Sequence, residues 1–318
     1  MAHRIAYVVV TGFLGAGKTT LLRNLIRSDF AVGRRIAFIV NDLADVDVDG
    51  QLLAQEVGEA GVVARLSSGC ICCTIRDEFE ATLRQIIEAH QPDMVVVESS
   101  GVTNPRAVLH GLHHPRLRLD SVISVIDAER FLEYMRYSTA VETQVYMADF
   151  VLLNKRDLVT PEQLAQVEAQ VRRFNRKCAI IPTRYADAPP RVLFGAHAAY
   201  AARDFAAPTD GHAHDHDHDH LRHDEIESVT LPAPELLDEN KLADFLRSEA
   251  VRDVYRAKGF VQLAGDGGLS LFNFVPRRFG LERLPAEAAG GQRFIQFIGR
   301  NLKQQEAVLR AGLAACAA

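Results

Sequence analysis

The stretch IAYVVVTGFLGAGKTT, residues 5–20, decides the fold of the amino-terminal part of this 318-residue chain. Residues 5–10 form an apolar run, residues 12–19 match G-x-x-x-x-G-K-[ST] at every fixed position, and residues 19–27 have a helical pattern. A strand, a glycine-rich loop and a helix in this order predict a phosphate-binding loop, in which backbone N–H groups converge on phosphate oxygens. The alternative, a glycine-rich turn that binds nothing, is disfavoured because all three parts are present.

Further apolar runs extend this pattern along the chain. They cover residues 36–40, 94–97, 121–126, 150–153 and 179–181, and helical patterns lie at residues 77–89 and 161–173. Runs without polar alternation, separated by helices, are typical of a parallel sheet that is covered on both faces. We therefore predict an α/β P-loop NTPase domain with a mostly parallel sheet over residues 1–205, with ligands beyond the carboxyl ends of the strands.

The composition changes abruptly after residue 205. Residues 206–224 have few apolar side chains and contain histidines that alternate with aspartates, which predicts a flexible His/Asp-rich linker. Beyond it, strand patterns at residues 226–231, 260–263, 269–275 and 293–298 accompany helical patterns at 239–247 and 301–314. This mixture predicts a smaller α+β domain over residues 225–318.

The composition excludes several classes of protein. A formal net charge of −5 argues against a general affinity for nucleic acid, because such binding needs a basic face. No apolar run reaches the roughly 18 residues of a membrane span, and residues 5–10 are short for a signal-peptide core. The 5 cysteines are odd in number and three of them fall within four positions, which favours reduced thiols in the cytoplasm over a disulfide framework.

The residues predicted to act on the phosphates are Lys18, Thr19 and Glu98. Lys18 should contact the β- and γ-phosphates, and the Thr19 hydroxyl and the Glu98 carboxylate should hold Mg²⁺. Glu98 ends an apolar run and is followed by Gly101, whose amide can sense the γ-phosphate. Asp127 follows another run and competes for the role of Glu98, but it has no such glycine after it, so we expect it to cap the next helix.

The motif at residues 154–157, Asn-Lys-Arg-Asp, predicts which base is bound. An aspartate after a strand can accept two hydrogen bonds from guanine, whereas adenine would leave the carboxylate unsatisfied. The motif therefore favours GTP over ATP, with a solvated charged turn as the alternative. The predicted nucleotide-binding residues are Gly12, Gly15, Ala16, Gly17, Lys18, Thr19, Thr20, Gly101, Asn154, Lys155 and Asp157.

The least generic feature of the sequence is a cysteine cluster, Cys70, Cys72 and Cys73. Thiolates are soft ligands that favour Zn²⁺, Cu⁺ or cobalt, and three of them supply most of a tetrahedral shell. Water, the nucleotide or a nearby acid could complete that shell. The alternative is that these cysteines are buried as small hydrophobic residues.

Two other segments contain candidate metal ligands. Residues 41–49 carry four aspartates, beginning with Asp42, where a GTPase places its first switch, and a solvated acidic loop is the alternative. In the His/Asp run, imidazoles could capture metal weakly, or the run could be a polar linker. The histidines considered are His214, His216, His218 and His220.

Taken together, these residues resemble the CobW-like metallochaperones, a branch of the P-loop GTPases that mature metalloenzymes. The matching parts are the Asn41 switch and residues 12–20, 69–74, 98–101, 104–105 and 154–158, with residues 256–260 and 297–300 in the second domain. The family's switch commonly has Asn-Glu-Phe-Gly-Glu, whereas residues 41–45 here are Asn-Asp-Leu-Ala-Asp, with shorter acids and no glycine.

The resemblance implies a GTP-hydrolysing metallochaperone that loads GTP and Mg²⁺, binds a transition metal at the cysteine cluster and delivers it on hydrolysis. Thiolates with histidines favour Zn²⁺ over Co²⁺ as cargo. The expected partner is a client metalloprotein or a metal-dependent biosynthetic enzyme, and a homodimer is left open. No residue matches a water-orienting glutamine or an arginine finger, so we expect slow intrinsic hydrolysis. The alternatives are a metal buffer or sensor with a regulatory GTP site, and a P-loop kinase for a small molecule.

Overall fold

The structure is a computed structural model that describes residues 4–40, 53, 56–57, 61–65, 74–99, 114–194, 226–265, 268–276, 278–284 and 293–318. The chain divides into two compact units, Met1–His197 and Ala198–Ala318. The predicted linker at residues 206–224 lies outside the described residues.

The first unit contains a seven-stranded sheet in the order β3-β2-β4-β1-β5-β6-β7. All neighbouring strands in it are parallel, and β1 is the central strand. This arrangement confirms the predicted α/β fold of the P-loop NTPase type. The strands are β1 (Ile5–Thr11), β2 (Ile36–Val40), β3 (Gly61–Arg65), β4 (Met94–Glu98), β5 (Leu117–Asp127), β6 (Phe150–Asn154) and β7 (Ala179–Pro182).

Helices connect these strands and cover the sheet. Every residue of β1 is buried, as expected for a central strand with both faces covered. Leu83 and Ile87 of one helix pack with Val95 of β4, and Val167 of another packs with Val151 of β6. The helices are α1 (Lys18–Arg27), α2 (Thr74–His90), α3 (Phe131–Tyr134), α4 (Thr139–Met147), α5 (Pro161–Phe174) and α6 (Pro190–Leu193), with a 3-10 turn at Arg156–Leu158.

The described residues of the second unit form an antiparallel sheet and two α-helices, which confirms the predicted α+β type. Its strands are β8 (Ile226–Pro232), β9 (Val254–Gln262), β10 (Leu269–Val275), β11 (Arg278–Arg283) and β12 (Phe294–Arg300), in the order β11-β10-β9-β12-β8. Helices α7 (Glu239–Arg247) and α8 (Leu302–Ala315) bury Leu242, Phe245 and Leu309 in one core with Ala257 and Phe297. Within the described part of the chain, no helix is long and apolar enough to cross a membrane.

Two strands, β3 and β11, were not predicted from the sequence. Both lie at the edge of their sheet, where a strand has one neighbour, and many of their residues are only partly buried. These two strands therefore lack the long apolar run that identified the others. Strand β9 begins at Val254, whereas the sequence pattern indicated residue 260. The pattern missed the first part of the strand because it contains the charged residues Arg256 and Lys258, which are buried.

Candidate nucleotide-binding site

The phosphate loop joins β1 to α1, and its glycines are required by both backbone and space. Gly12 and Gly17 have φ values of +139° and +109°, which residues other than glycine rarely adopt. A Cβ at Gly12 would collide with the carbonyl oxygen of Val125 in β5. A Cβ at Gly17 would lie 2.5 Å from Nδ2 of Asn154. The loop therefore packs closely against β5 and against the end of β6.

Lys18 and Glu98 form a buried acid–base pair beside this loop. Lys18 begins α1, and Glu98 ends β4, the strand next to β1. Nζ of Lys18 lies 3.8 Å from Oε1 of Glu98, and the two side chains are 8% and 9% exposed. Nζ also lies 3.5 Å from the carbonyl oxygen of Phe13. The positive charge is thus held at the phosphate loop, in surroundings where electrostatic interactions are strong.

Thr19 and Glu98 have the donor chemistry that suits Mg²⁺. This ion takes oxygen ligands, and a hydroxyl and a carboxylate at the carboxyl end of parallel strands provide them. Thr19 follows Lys18 in α1 and is partly exposed, while Glu98 is nearly buried. These two residues would hold the ion, which would supply neutralising charge to the phosphates when bound.

Asp127 has a different role from the one predicted. Its Oδ2 lies 2.7 Å from Nζ of Lys155, and its Oδ1 accepts a hydrogen bond from the backbone N–H of Glu129 at 3.1 Å. Helix α3 begins at Phe131 with Arg130 as its N-cap residue and has no side-chain cap. The expectation that Asp127 caps the next helix is therefore wrong. A turn separates β5 from α3, and Asp127 stabilises that turn.

Asn154 connects the phosphate loop to the loop after β7. Its Nδ2 donates to the carbonyl oxygen of Ala16 at 2.8 Å. Its Oδ1 accepts from the backbone N–H of Ala186 at 2.7 Å and from the hydroxyl of Thr183 at 3.2 Å. The residue is 2% exposed, so these bonds lie in the interior. Asn154 thus acts as a positioning residue that joins three separate segments, and direct contact with nucleotide stays a prediction.

The loop after β7 holds two adjacent residues in a strained backbone conformation. Tyr185 and Ala186 have φ values of +54° and +52°, which are uncommon for residues other than glycine. Asn154 binds the N–H of Ala186, and Nδ2 of Asn24 in α1 donates to the carbonyl oxygen of Tyr185 at 2.9 Å. Sequence reasoning missed this loop, and its only signal was its place after a strand of a parallel sheet.

Asp157 lies on the 3-10 turn after β6, close to this loop. Nε of Arg184 lies 3.6 Å from Oδ2 of Asp157, and the Asp157 side chain is 34% exposed. The Arg184 guanidinium carbon lies 5.1 Å from the ring centroid of Tyr185. The structure thus brings the carboxylate predicted to bind guanine next to a planar cation, and that cation lies beside an aromatic ring.

Another acid–base contact joins α1 to Glu56, which precedes β3. Oε1 of Glu56 accepts hydrogen bonds from Nε of Arg23 at 2.9 Å and from a terminal nitrogen of Arg27 at 2.7 Å. The hydrogen bond from Arg23 is the largest of the effects that lower the pKa of the Glu56 carboxyl below its ordinary value. Leu53 and Val57, on either side of Glu56, are buried. This segment is therefore anchored to the helix that begins in the phosphate loop.

The predicted metal ligands other than Thr19 and Glu98 lie outside the described residues, as does Gly101. They are Asp42, Cys70, Cys72, Cys73, His214, His216, His218 and His220. Within the ranges that the structure describes, no group of three His, Cys, Asp or Glu residues could hold a metal ion. The described cysteines, Cys178 and Cys316, are buried.

Models of two protein families match most of this chain. A model of the CobW/HypB/UreG nucleotide-binding domain matches residues 6–182, and a model of the cobalamin synthesis protein cobW C-terminal domain matches residues 226–317. The chain is 31% identical over 346 residues to the zinc chaperone CobW of a Sinorhizobium species, which covers 98% of this chain and 97% of that protein.

Two further relatives have similar names. The zinc chaperone YjiA of Escherichia coli K12 is 27% identical over 288 residues, covering 86% of this chain and 87% of that protein. The zinc-regulated GTPase metalloprotein activator 1 of Schizosaccharomyces pombe is 30% identical over 191 residues, covering 57% of this chain and 46% of that protein.

Proposed function

Because the chain belongs to the CobW/HypB/UreG family of nucleotide-binding proteins, we propose that it is a metallochaperone that binds and hydrolyses GTP. The observation that carries this proposal is the Asn154 network. It joins the phosphate loop to the loops after β6 and β7, so that the residues proposed to bind the phosphates and the base of one nucleotide are held close together. The names of the relatives, two zinc chaperones and a zinc-regulated GTPase, support the same function.

Guanine binding is assigned to Asp157. Its carboxylate would accept hydrogen bonds from N1–H and from the exocyclic amine of guanine, a pair of donors that adenine lacks. Support comes from its place on the turn directly after Asn154 and from its partial exposure. Lys155 is bonded to Asp127 and would line the same turn.

Hydrolysis is assigned to residues at the phosphate loop. Lys18 would stabilise the charge that develops on the β- and γ-phosphates, supported by its burial beside Glu98. Thr19 and Glu98 would hold Mg²⁺. Water would attack the γ-phosphorus, giving GDP and inorganic phosphate. We expect a slow rate without metal or client, because no water-orienting glutamine or arginine finger was identified in the sequence.

The cargo is proposed to be Zn²⁺, with Co²⁺ as the second choice, bound by Cys70, Cys72 and Cys73. The support is the softness of thiolate ligands and the zinc chaperone names of the relatives. Asp42 could add an oxygen ligand, and the histidines of residues 212–223 could capture metal weakly. Release to a client metalloprotein in the cytoplasm would follow GTP hydrolysis.

A competitive zinc titration of the full chain tests the coupling of metal to nucleotide. We expect the GTP–Mg²⁺ form and the GDP form to differ in Zn²⁺ affinity, by about 5- to 150-fold for a typical coupling. The double variant Cys72→Ala and Cys73→Ala should lose most of the affinity in both forms. Cys178→Ala, which removes a buried thiol elsewhere, should leave both affinities unchanged.

Other outcomes of this titration would change the assignment. Equal Zn²⁺ affinity in the two nucleotide forms would remove the basis for delivery and favour a metal buffer. In a separate analysis of the products formed from GTP, a phosphorylated small molecule in place of free phosphate would favour a kinase. Unchanged affinity in the double cysteine variant would exclude the cysteine cluster as the cargo site.

A further inference from the structure

Arg184 lies beside Asp157, the carboxylate proposed to bind guanine, and beside the aromatic ring of its neighbour Tyr185. Its Nε is 3.6 Å from Oδ2 of Asp157, and its guanidinium carbon is 5.1 Å from the centroid of the Tyr185 ring. The guanidinium therefore has a carboxylate on one side and an aromatic ring on another. Both groups belong to loops at the carboxyl end of the parallel sheet, where ligands of such sheets bind.

The chemistry of this contact resembles that of guanine itself. The edge of guanine that an aspartate recognises consists of N1–H and an exocyclic amine on the same carbon, and is thus a cyclic guanidine. An arginine guanidinium is also planar, presents N–H donors from one carbon to a carboxylate, and stacks on aromatic rings. Arg184 therefore places a group of similar chemistry 3.6 Å from the carboxylate to which guanine is proposed to bind.

We propose that Arg184 is an internal substitute for guanine, which occupies the base subsite until a guanine nucleotide displaces it. The proposal rests on the proposed role of Asp157 in guanine binding. Nucleotide binding would then be an exchange, in which Asp157 loses its contact with the guanidinium of Arg184 and accepts hydrogen bonds from the guanine edge. The contact between Arg184 and Asp157 is autoinhibitory, because its loss offsets part of the free energy of guanine binding.

The loop after β7 is anchored without the Arg184 side chain, so this exchange costs little free energy. The backbone is held through the carbonyl oxygen of Tyr185 and the N–H of Ala186, and neither bond involves the Arg184 side chain. The Arg184 side chain is 60% exposed, so it can turn into water while the loop stays in place. A partly exposed ion pair of this kind contributes little, which limits its effect on nucleotide affinity to about 2- to 5-fold.

Affinity for GDP and GTP, measured by calorimetry on the full chain with Mg²⁺, tests the proposal. Arg184→Ala should bind both nucleotides about 2- to 5-fold more tightly than the parent at low salt. The gain should shrink as the ionic strength rises, because salt screens an exposed ion pair. Arg173→Ala, which removes an exposed arginine on α5, is the control: it measures the effect on nucleotide affinity of losing one arginine charge elsewhere on the surface.

A double-mutant cycle isolates the contact with Asp157. Asp157→Ala should weaken binding of guanine nucleotides, and Arg184→Ala should then give no further gain in that background. If Arg184→Ala weakens GDP binding, or changes it equally in both backgrounds, Arg184 is no substitute for guanine and the inference is wrong. If Asp157→Ala leaves guanine affinity unchanged, the proposed role of Asp157 fails, and the inference fails with it.

Discussion

The acid–base pairs Lys18–Glu98 and Arg184–Asp157 both lie at the carboxyl end of the parallel sheet, and they differ in their surroundings. On the phosphate side, Lys18 and Glu98 are 3.8 Å apart with side chains less than one tenth exposed. On the base side, Arg184 and Asp157 are 3.6 Å apart with side chains 60% and 34% exposed. Similar distances therefore join charges whose interactions differ in strength, because water screens the second pair and hardly reaches the first.

This difference suggests a division of tasks within the site. In the proposed function, the buried pair would keep a fixed charge beside the phosphates, which would favour catalysis. The exposed pair can be exchanged for a ligand at small cost, which favours reversible recognition of a base. On the base side, rigidity comes from the uncharged Asn154, whose amide makes its hydrogen bonds in the interior.

The largest effect should follow from Lys18→Ala, which removes the charge of the buried pair. We expect GTP hydrolysis, measured as phosphate release, to fall about 100-fold or more, because a preorganised charge at the phosphates is lost. Lys177→Ala, which removes an exposed lysine before β7, should leave the rate unchanged. A rate for Lys18→Ala within a few-fold of the parent would mean that the phosphate side does not depend on this charge.

A smaller but specific effect should follow from Asn154→Ala. The change removes partners from buried groups of Ala16, Thr183 and Ala186, and should cost roughly 2–4 kcal/mol of the free energy of unfolding, measured in urea. Guanine nucleotide affinity should fall as well, since the loop after β7 loses its anchor.

Asn175→Ala is the matched control for this change. Asn175 is also buried, and its Nδ2 donates to the carbonyl oxygens of Val145 and Ala148 at 2.9 and 2.8 Å. It should destabilise the fold comparably but leave the nucleotide affinity of the folded protein unchanged. Equal losses of affinity in the two variants would show that Asn154 acts through stability alone.

The smallest effect should follow from Glu56→Gln, at the contact between α1 and the segment before β3. At pH 7 we expect a loss of about 0.5–1 kcal/mol in the free energy of unfolding, as for other partly exposed ion pairs. The Arg23 hydrogen bond lowers the pKa of Glu56 in the folded protein. Its contribution is therefore complete above the ordinary glutamate pKa of about 4.3 and is lost as the pH falls through the lower folded value.

Urea unfolding of Glu56→Gln and of the parent at pH 7, 5 and 4 measures this dependence. The difference between the two proteins should be constant from pH 7 to 5 and should decrease below that. Glu168→Gln on α5, where the carboxylate lies 4.0 Å from Arg172, provides an exposed pair for comparison. A difference that grows as the pH falls would contradict the lowered pKa.

The sequence predicted the fold well wherever the signal was local. The central strands appeared as unbroken apolar runs because both of their faces are buried, and α7 has the bounds that its pattern indicated, residues 239–247. The edge strands β3 and β11 were missed because partial exposure interrupts their apolar pattern. The buried charges of Arg256 and Lys258 concealed the start of β9, since charged residues are normally taken as exposed.

The sequence by itself determined the central strands, the phosphate loop and the residues at the ends of those strands, because these depend on neighbours along the chain. Only the tertiary structure decided which of these residues meet. It brings Glu98 to Lys18, Asp127 to Lys155 and Arg184 to Asp157. The physical reason is that parallel strands distant in sequence end at one edge of a sheet, and no local pattern records which loops then lie side by side.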